Sequence, residues 1–496
     1  MSAQPQYDQL TVAFQRIYRF EHLQAITMWD HSTYMPPGGS DARSAALGEL
    51  AALIHRLRTA PELGTLLAAA VGEQLDDVAR ANLREMQRTW RNATALPEEL
   101  VHAATMAGAR CEHAWRTQRP ANDWAGFVPN LREVVRLTRQ QAALLSDKLG
   151  VSKYDALMDR FEPGTTSADV DRFFGAVKSW LPELIHKLRA RQASERVIEP
   201  QGPFPIATQR ALCERVMKLL QFDFDRGRLD VSTHPFSGGV PEDVRLTTRY
   251  REDEFVQSLM GTIHETGHGR YEQGRPREWL GQPISEARSM AIHESQSLSF
   301  EMQLGRSRAF MELLAPLLVE YFGAQPAFEP ENLFRLYTRV RPGLIRVDAD
   351  EATYPAHVIL RYEIERPLIE GEIEVDDIPA LWDQKMDQLL GLDTRGNYKD
   401  GPMQDIHWTD GAYGYFPCYT LGAMYAAQWF ATLRRARPSL DAEIARGQLG
   451  GIFDWLRANI WQQASRFDID ELTLRASGEH LDPKYLRAHL EARYLG

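Results

Sequence analysis

The chain has 496 residues, 44% of them hydrophobic and 25% charged, with a formal net charge of −11. That length and apolar content allow a sizeable buried core, and the negative balance argues against a nucleic-acid partner, which needs a basic stripe to displace counterions. The three cysteines, Cys111, Cys213 and Cys418, stand far apart and outside any CxxC, which argues against a disulfide framework and against a thiolate zinc centre.

The N-terminal MSAQPQYDQL lacks a basic start followed by an apolar run, so it does not read as a signal peptide. No stretch of about 18 uncharged apolar residues is available to span a bilayer. A cytoplasmic protein without a membrane partner is expected. MPPGGS (35–40) is the first clear loop. Apolar residues then recur at three- and four-residue steps over 47–71 and again over 127–149, which predicts amphipathic helix in both segments. EPQGPFP (199–205) is a second loop. No low-complexity linker and no fixed-period repeat divides the chain. It is therefore read as one helical catalytic unit over 1–496, with the N-terminal helices, about 1–110, as a candidate lid.

After the turn-like THPFSGGVPE (233–242), DVRLTTRY (243–250) alternates its side chains and is rich in Val, Leu and Thr, which predicts a strand. Further on, LIRVDADEATY (344–354) follows the Pro342–Gly343 turn and is a second predicted strand.

Between them, DEFVQSLMGTIHETGHGRYEQG (253–274) carries His264-Glu265-Thr266-Gly267-His268, an HExxH pattern. Val256, Leu259, Met260 and Ile263 form an apolar stripe, so the helix is predicted independently of the motif. On a helix, residues i and i+4 lie one turn apart on one face. Two imidazoles so placed can reach one cation at about 2.0–2.1 Å. Glu265 projects about 100° away around the helix, beside a water held at such a cation, which is the general-base position of a metallopeptidase. The next helical segment, SEARSMAIHESQSLSFEMQLG (285–305), offers a third ligand and leaves one position for water, as catalytic zinc requires. His293 and Glu294 are adjacent and project about 100° apart, so one of them faces the metal, and spacing alone leaves the choice open. A small sheet near such a site is either a packing hairpin or an edge that holds an extended peptide through backbone hydrogen bonds.

Several further motifs stand in order. They are HPF at 234–236, Asp243-x-Arg245-x-Thr247, the HExxH, His293-Glu294-Ser295-Gln296, Ile345-Arg346-x-x-Ala349-Asp350, and Gly401-x-x-Gln404-Asp405-x-His407-Trp408, together with WDHSTYMPPGGSDAR at 29–43. With these the chain resembles the M32 metallocarboxypeptidases, of the thermostable carboxypeptidase Taq type. The resemblance implies Glu294 as third ligand with His293 as its neighbour. It implies a predominantly all-α fold like that of neurolysin and angiotensin-converting enzyme, with a deep groove and a small β-sheet. It also implies removal of single residues from peptide C-termini, one divalent metal per chain (zinc usually, cobalt in some members) and a homodimer.

Peptide hydrolysis also needs a donor for the developing oxyanion. His407 and Tyr415 are the candidates, with Tyr413 and Tyr419 as alternatives to Tyr415. Asp405 or Gln404 would orient His407 or bind substrate. A terminal carboxylate suits the fork of an arginine, and Arg346 and Arg245 are the candidates. The alternative for each is an ion pair, with Asp348 or Asp350 for Arg346 and with Asp243 for Arg245. The alternative functions are an oligopeptidase or dipeptidyl carboxypeptidase on the same fold, and a non-catalytic peptide-binding scaffold. The intact His264, Glu265, His268 and Glu294 set argues against the second.

Overall fold

The computed structural model describes residues 5–232 and 235–496. Among these residues are 21 α-helices, short 3-10 turns and three strands. The expected predominantly helical fold with a small sheet is what the chain adopts. Among the described residues no helix is long and apolar enough to cross a membrane.

Local chemistry explains the helix boundaries. The 127–149 periodicity lies inside the Trp124–Leu149 helix. Asp123 caps its start by accepting from Gly126 N at 2.8 Å, and Gly150 ends it in the left-handed region at φ 70°. The 47–71 periodicity instead spans two helices, Ser40–Arg58 and Pro61–Ala70. Pro61 has no N–H to continue a helix but suits the first turn of a new one.

Two apolar clusters result. Leu10, Phe14, Ile17, Ile54, Leu63 and Met86 unite the first helices of the chain. The main cluster takes in residues from Ala107 to Tyr494 and surrounds the HExxH helix through Leu259, Met260 and Ile263. The N-terminal helices thus have an apolar cluster of their own.

The sheet has strands β1 (Gly227–Val231), β2 (Ser237–Val240) and β3 (Asp243–Thr248), in the order β1-β3-β2. β1 runs parallel to β3 from Gly227↔Val244 to Val231↔Thr248, and β2 is antiparallel to it. β3 is the strand predicted at 243–250, ending at Thr248. β2 falls in the segment read as a turn. Its Gly239 has φ 87°, and a Cβ there would stand 2.1 Å from Asp243 O, so only glycine fits. His234 of the HPF motif lies outside the described residues.

The strand predicted at 344–354 does not form. Arg346–Asp348 is a 3-10 turn, and a helix begins at Tyr354. Asp350 is the reason: its carboxylate accepts from the backbone N–H groups of Arg341, Ala352 and Thr353 at 2.8–3.0 Å. Such local bonds offer the backbone an alternative to a sheet ladder.

Candidate metal centre

The HExxH helix is Val256–Gly274, and the helix carrying Glu294 is Met290–Leu298. Two glycines let this second helix approach. A Cβ on Gly267, inside the HExxH, would lie 2.5 Å from Gln296 O and 2.6 Å from Ser297 Cα. A Cβ on Gly422, in the Pro417–Ala436 helix, would lie 2.8 Å from Glu294 Cγ. Glu294 is therefore held between two close backbone crossings.

His264, His268 and Glu294 present one ligand atom each, all within 4.8 Å of one another. Glu294 Oε2 stands 3.3 Å from His268 Nε2 and 3.8 Å from His264 Nε2. The far side of each imidazole is occupied. His264 Nδ1 meets Glu301 Oε2 at 2.9 Å, and Arg306 donates to Glu301 Oε1 at 2.7 Å. His268 Nδ1 meets His293 Nδ1 at 2.6 Å, His293 Nε2 meets Glu272 at 3.0 Å, and Glu272 pairs with Arg275 at 2.6 Å. These partners fix the rings so that both Nε2 atoms face Glu294. Glu301 lies on a π-turn, Ser299–Gly305, that continues the Glu294 helix. The C-terminal helix (Lys484–Leu495) braces that turn, since Arg493 donates to Met302 O at 2.5 Å and to Glu351 at 2.9 Å.

The donor set fits a divalent cation. Burial disfavours charge on His264, yet the carboxylates of Glu294 and Glu301 outweigh it and hold a proton there, up to about 10. A cation between the two Nε2 atoms would answer the same negative field. Burial pushes His268 down to about 4, leaving its Nε2 free to coordinate. Glu265 is buried, which pushes its carboxyl up to about 7; Ser237, at the start of β2, lies beside it and pulls the other way. The edge strand of the sheet is thus next to the proposed base.

The opposite wall is aromatic. The negative charge of Glu294 reaches Tyr354, Tyr415 and Tyr419, and Arg346 is felt by all three. His407 Nε2 meets Tyr419 OH at 3.2 Å, while its Nδ1 is buried without a partner. Burial pushes His407 down to about 4, with Arg346 adding to the effect, so the ring is neutral. Tyr415 packs on Phe161 at 5.1 Å and Tyr419 at 5.3 Å. Tyr413 is elsewhere, fully buried and stacked on Trp408.

Arg346 is buried. Its Nε and Nη2 donate to Asp405 Oδ1 at 3.0 and 2.8 Å, and its Nη1 donates to Tyr354 OH at 2.5 Å. Asp405 also accepts from Arg361 at 2.6 Å. The two arginines overcome the burial cost and hold the Asp405 carboxyl well below the usual range. The ion pair foreseen for Arg346 therefore exists, but with Asp405 in place of Asp348 or Asp350. Gln404 is committed to backbone: it accepts from Arg346 N at 2.7 Å and donates to Leu344 O and Asp400 O at 3.0 and 2.8 Å. Arg245, on β3, pairs with Asp243 at 2.7 Å and lies over the Trp29 ring at 4.6 Å, facing the first helix of the chain. His293, Glu301, Arg361 and Tyr354 complete the site; of these, only His293 had been singled out in the sequence. Glu301 had a signal, standing seven residues, about two helical turns, after Glu294.

Known proteins resemble this chain in sequence and in fold. Residues 9–494 match the family model of the carboxypeptidase Taq (M32) metallopeptidases. The chain belongs to that family. This M32 chain is 36% identical over 502 residues to thermostable carboxypeptidase 1 of Thermus thermophilus, spanning 97% of this chain and 98% of the relative. It is 34% identical to thermostable carboxypeptidase 1 of Pyrococcus furiosus over 98% of each chain. Metallocarboxypeptidase 1 of Trypanosoma cruzi superposes with a TM-score of 0.97 at 49% identity, covering 99% of each chain. The M32 carboxypeptidase of Deinococcus radiodurans gives 0.94 at 33%, covering 99% of this chain and 100% of that one. The protein is a metal-dependent carboxypeptidase.

Proposed function

We propose that this M32 carboxypeptidase releases single amino acids from peptide C-termini, with one zinc ion held by His264, His268 and Glu294. The observation that carries the reading is the convergence of three ligand atoms within 4.8 Å, with Glu265 one residue from the first ligand and a buried arginine across the site. A divalent ion bound there would polarise the scissile carbonyl and acidify a water.

The chain's own groups do the rest. Glu265 takes the proton from the attacking water and delivers it to the leaving amine nitrogen. His407 and Tyr415 donate toward the developing oxyanion. Arg346 spends three of its five N–H groups on Asp405 and Tyr354, which leaves one on each Nη for the two oxygens of a terminal carboxylate. Asp405 and Gln404 position that arginine. Arg245, already paired to Asp243, serves the contact between the sheet and the first helix. β2, with Ser237 beside Glu265, supports the reading of an edge that holds the extended peptide. The separate apolar cluster of the first helices supports their reading as a lid on one catalytic unit. The cytoplasmic reading rests on the N-terminal sequence and the lack of a long apolar stretch, the homodimer on the family resemblance, and light scattering of the purified protein tests the dimer. Mass spectrometry of a digested peptide tests the activity: a ladder in single-residue steps is expected, and dipeptide steps or internal cuts would replace it with the oligopeptidase reading.

A further inference from the structure

Away from the metal centre, a cleft of about 740 Å³ separates the Asp77–Thr94 helix from the C-terminal helices Gly450–Asn459 and Ile469–Ser477. Four arginines line it, Arg80, Arg84, Arg466 and Arg475, against two acids, Asp77 and Glu471. In a chain of net charge −11 that lining carries an excess of positive charge.

Acidic partners answer three of the four arginines, and Arg466 has none among the described residues. Arg80 pairs with Asp77 and Arg475 with Glu471, each along its own helix and exposed, where water and salt screen the attraction. Arg84 donates its Nε to the buried Glu85 at 2.7 Å and spans the cleft with Nη2, which donates to Ser465 O at 2.5 Å. Arg466 stacks on Phe467, 5.0 Å from the ring centre, and its Nε is buried without a hydrogen-bond partner. The backbone that presents it is strained. Ala464 has φ 44° and ψ −121°, a region that residues with a Cβ avoid. The next residue is pinned there, Ser465 N donating to Ile284 O at 3.0 Å and Ser465 Oγ to Glu286 O at 2.6 Å. Strain of this kind persists only where the surroundings enforce it, and here it presents to the cleft the one lining arginine without an acidic partner among the described residues.

We propose that this cleft binds a small polyanion carrying two or more phosphoryl groups. Guanidinium forks match phosphoryl oxygens in shape and charge. The arginines come from facing walls, Arg80 and Arg84 from one and Arg466 and Arg475 from the other, so a ligand with two phosphoryl groups can meet both walls at once. A bound polyanion would tie the N-terminal helices to the C-terminal body, so its occupancy would couple to any movement of the first helices.

Titration calorimetry of the metal-loaded protein with pyrophosphate, at fixed ionic strength, tests this. The expected result is one saturable site per chain that weakens at least tenfold in Arg80→Met/Arg475→Met. Both positions are exposed, so the variant keeps its fold and its peptidase activity. Arg466→Lys should weaken binding less than Arg466→Met. Pyrophosphate can also strip the metal, but that heat is common to wild type and variants. Equal heats in wild type and the double variant, or a response matched by sodium chloride at the same ionic strength, would overturn the proposal. A site filled equally well by orthophosphate would overturn the requirement for two phosphoryl groups.

Discussion

Glu301 Oε2 lies 2.9 Å from Nδ1 of His264, and Arg306 holds its other oxygen at 2.7 Å. The carboxylate fixes the ring so that Nε2 faces Glu294. Partners of this kind are typically worth a factor of about 10–100 in metal affinity. Glu301→Gln should therefore bind zinc about that much more weakly in a chelator competition, and excess zinc should restore activity. Unchanged affinity would reduce Glu301 to a packing group.

His407→Ala and Tyr415→Phe should each lower kcat more than they raise KM, because their hydrogen bonds strengthen as charge develops on the carbonyl oxygen. A donor of this type is worth about 10²–10³ in rate. Steady-state kinetics on one peptide decides it. A pure KM effect would move the residue to substrate binding.

Arg346→Ala should cut kcat/KM roughly tenfold to hundredfold, which corresponds to losing a charge-assisted contact of about 1.5–3 kcal/mol. The loss should depend on the end of the substrate. Wild type should prefer a free C-terminus over the same peptide amidated, and the variant should shrink that preference. Asp405→Asn should shrink it less, since it loosens the arginine without removing it. If Arg245→Ala abolishes the preference and Arg346→Ala does not, the anchor is Arg245.

His357 gives a pH prediction. It is fully buried, and burial, helped by Arg361 and Arg346, pushes it from its ordinary 6.5 down to about 3. The folded state then binds fewer protons than the unfolded state between these values. Its contribution to stability is complete above 6.5 and is lost progressively as the pH falls toward 3. The slope from one such group reaches at most about 1.4 kcal/mol per pH unit. His357→Met should flatten the fall of unfolding free energy between about pH 6 and 4 by up to one proton. Identical slopes in urea titrations would show that His357 does not titrate on unfolding.

Much of this was legible in the sequence, for identifiable reasons. The helices follow the 3.6-residue apolar period, and β3 follows the alternation of DVRLTT. β2 was missed because Ser-Gly-Gly-Val alternates nothing; its strand geometry comes from pairing with β3. The segment 344–354 was misread because Asp350 captures its backbone locally. His264, Glu265 and His268 were plain from their spacing. The choice of Glu294 over His293 came from family resemblance, since adjacent helical residues differ only in direction, and the two glycines that aim Glu294 act across helices. Arg346 and Asp405 lie 59 residues apart, so their ion pair belongs to tertiary structure.

The central claim is that His264, His268 and Glu294 hold a metal for which Glu265 moves the proton. Glu265→Gln keeps the shape of the side chain but cannot accept that proton. The decisive measurement is the rate of residue release from a free-C-terminus peptide by wild type and Glu265→Gln, followed by mass spectrometry with the metal content of each sample determined. The account predicts about one divalent ion per chain in both, single-residue steps from the wild type, and a rate lower by about 10²–10⁴ in the variant. Near-normal release by the variant at full metal occupancy would contradict it.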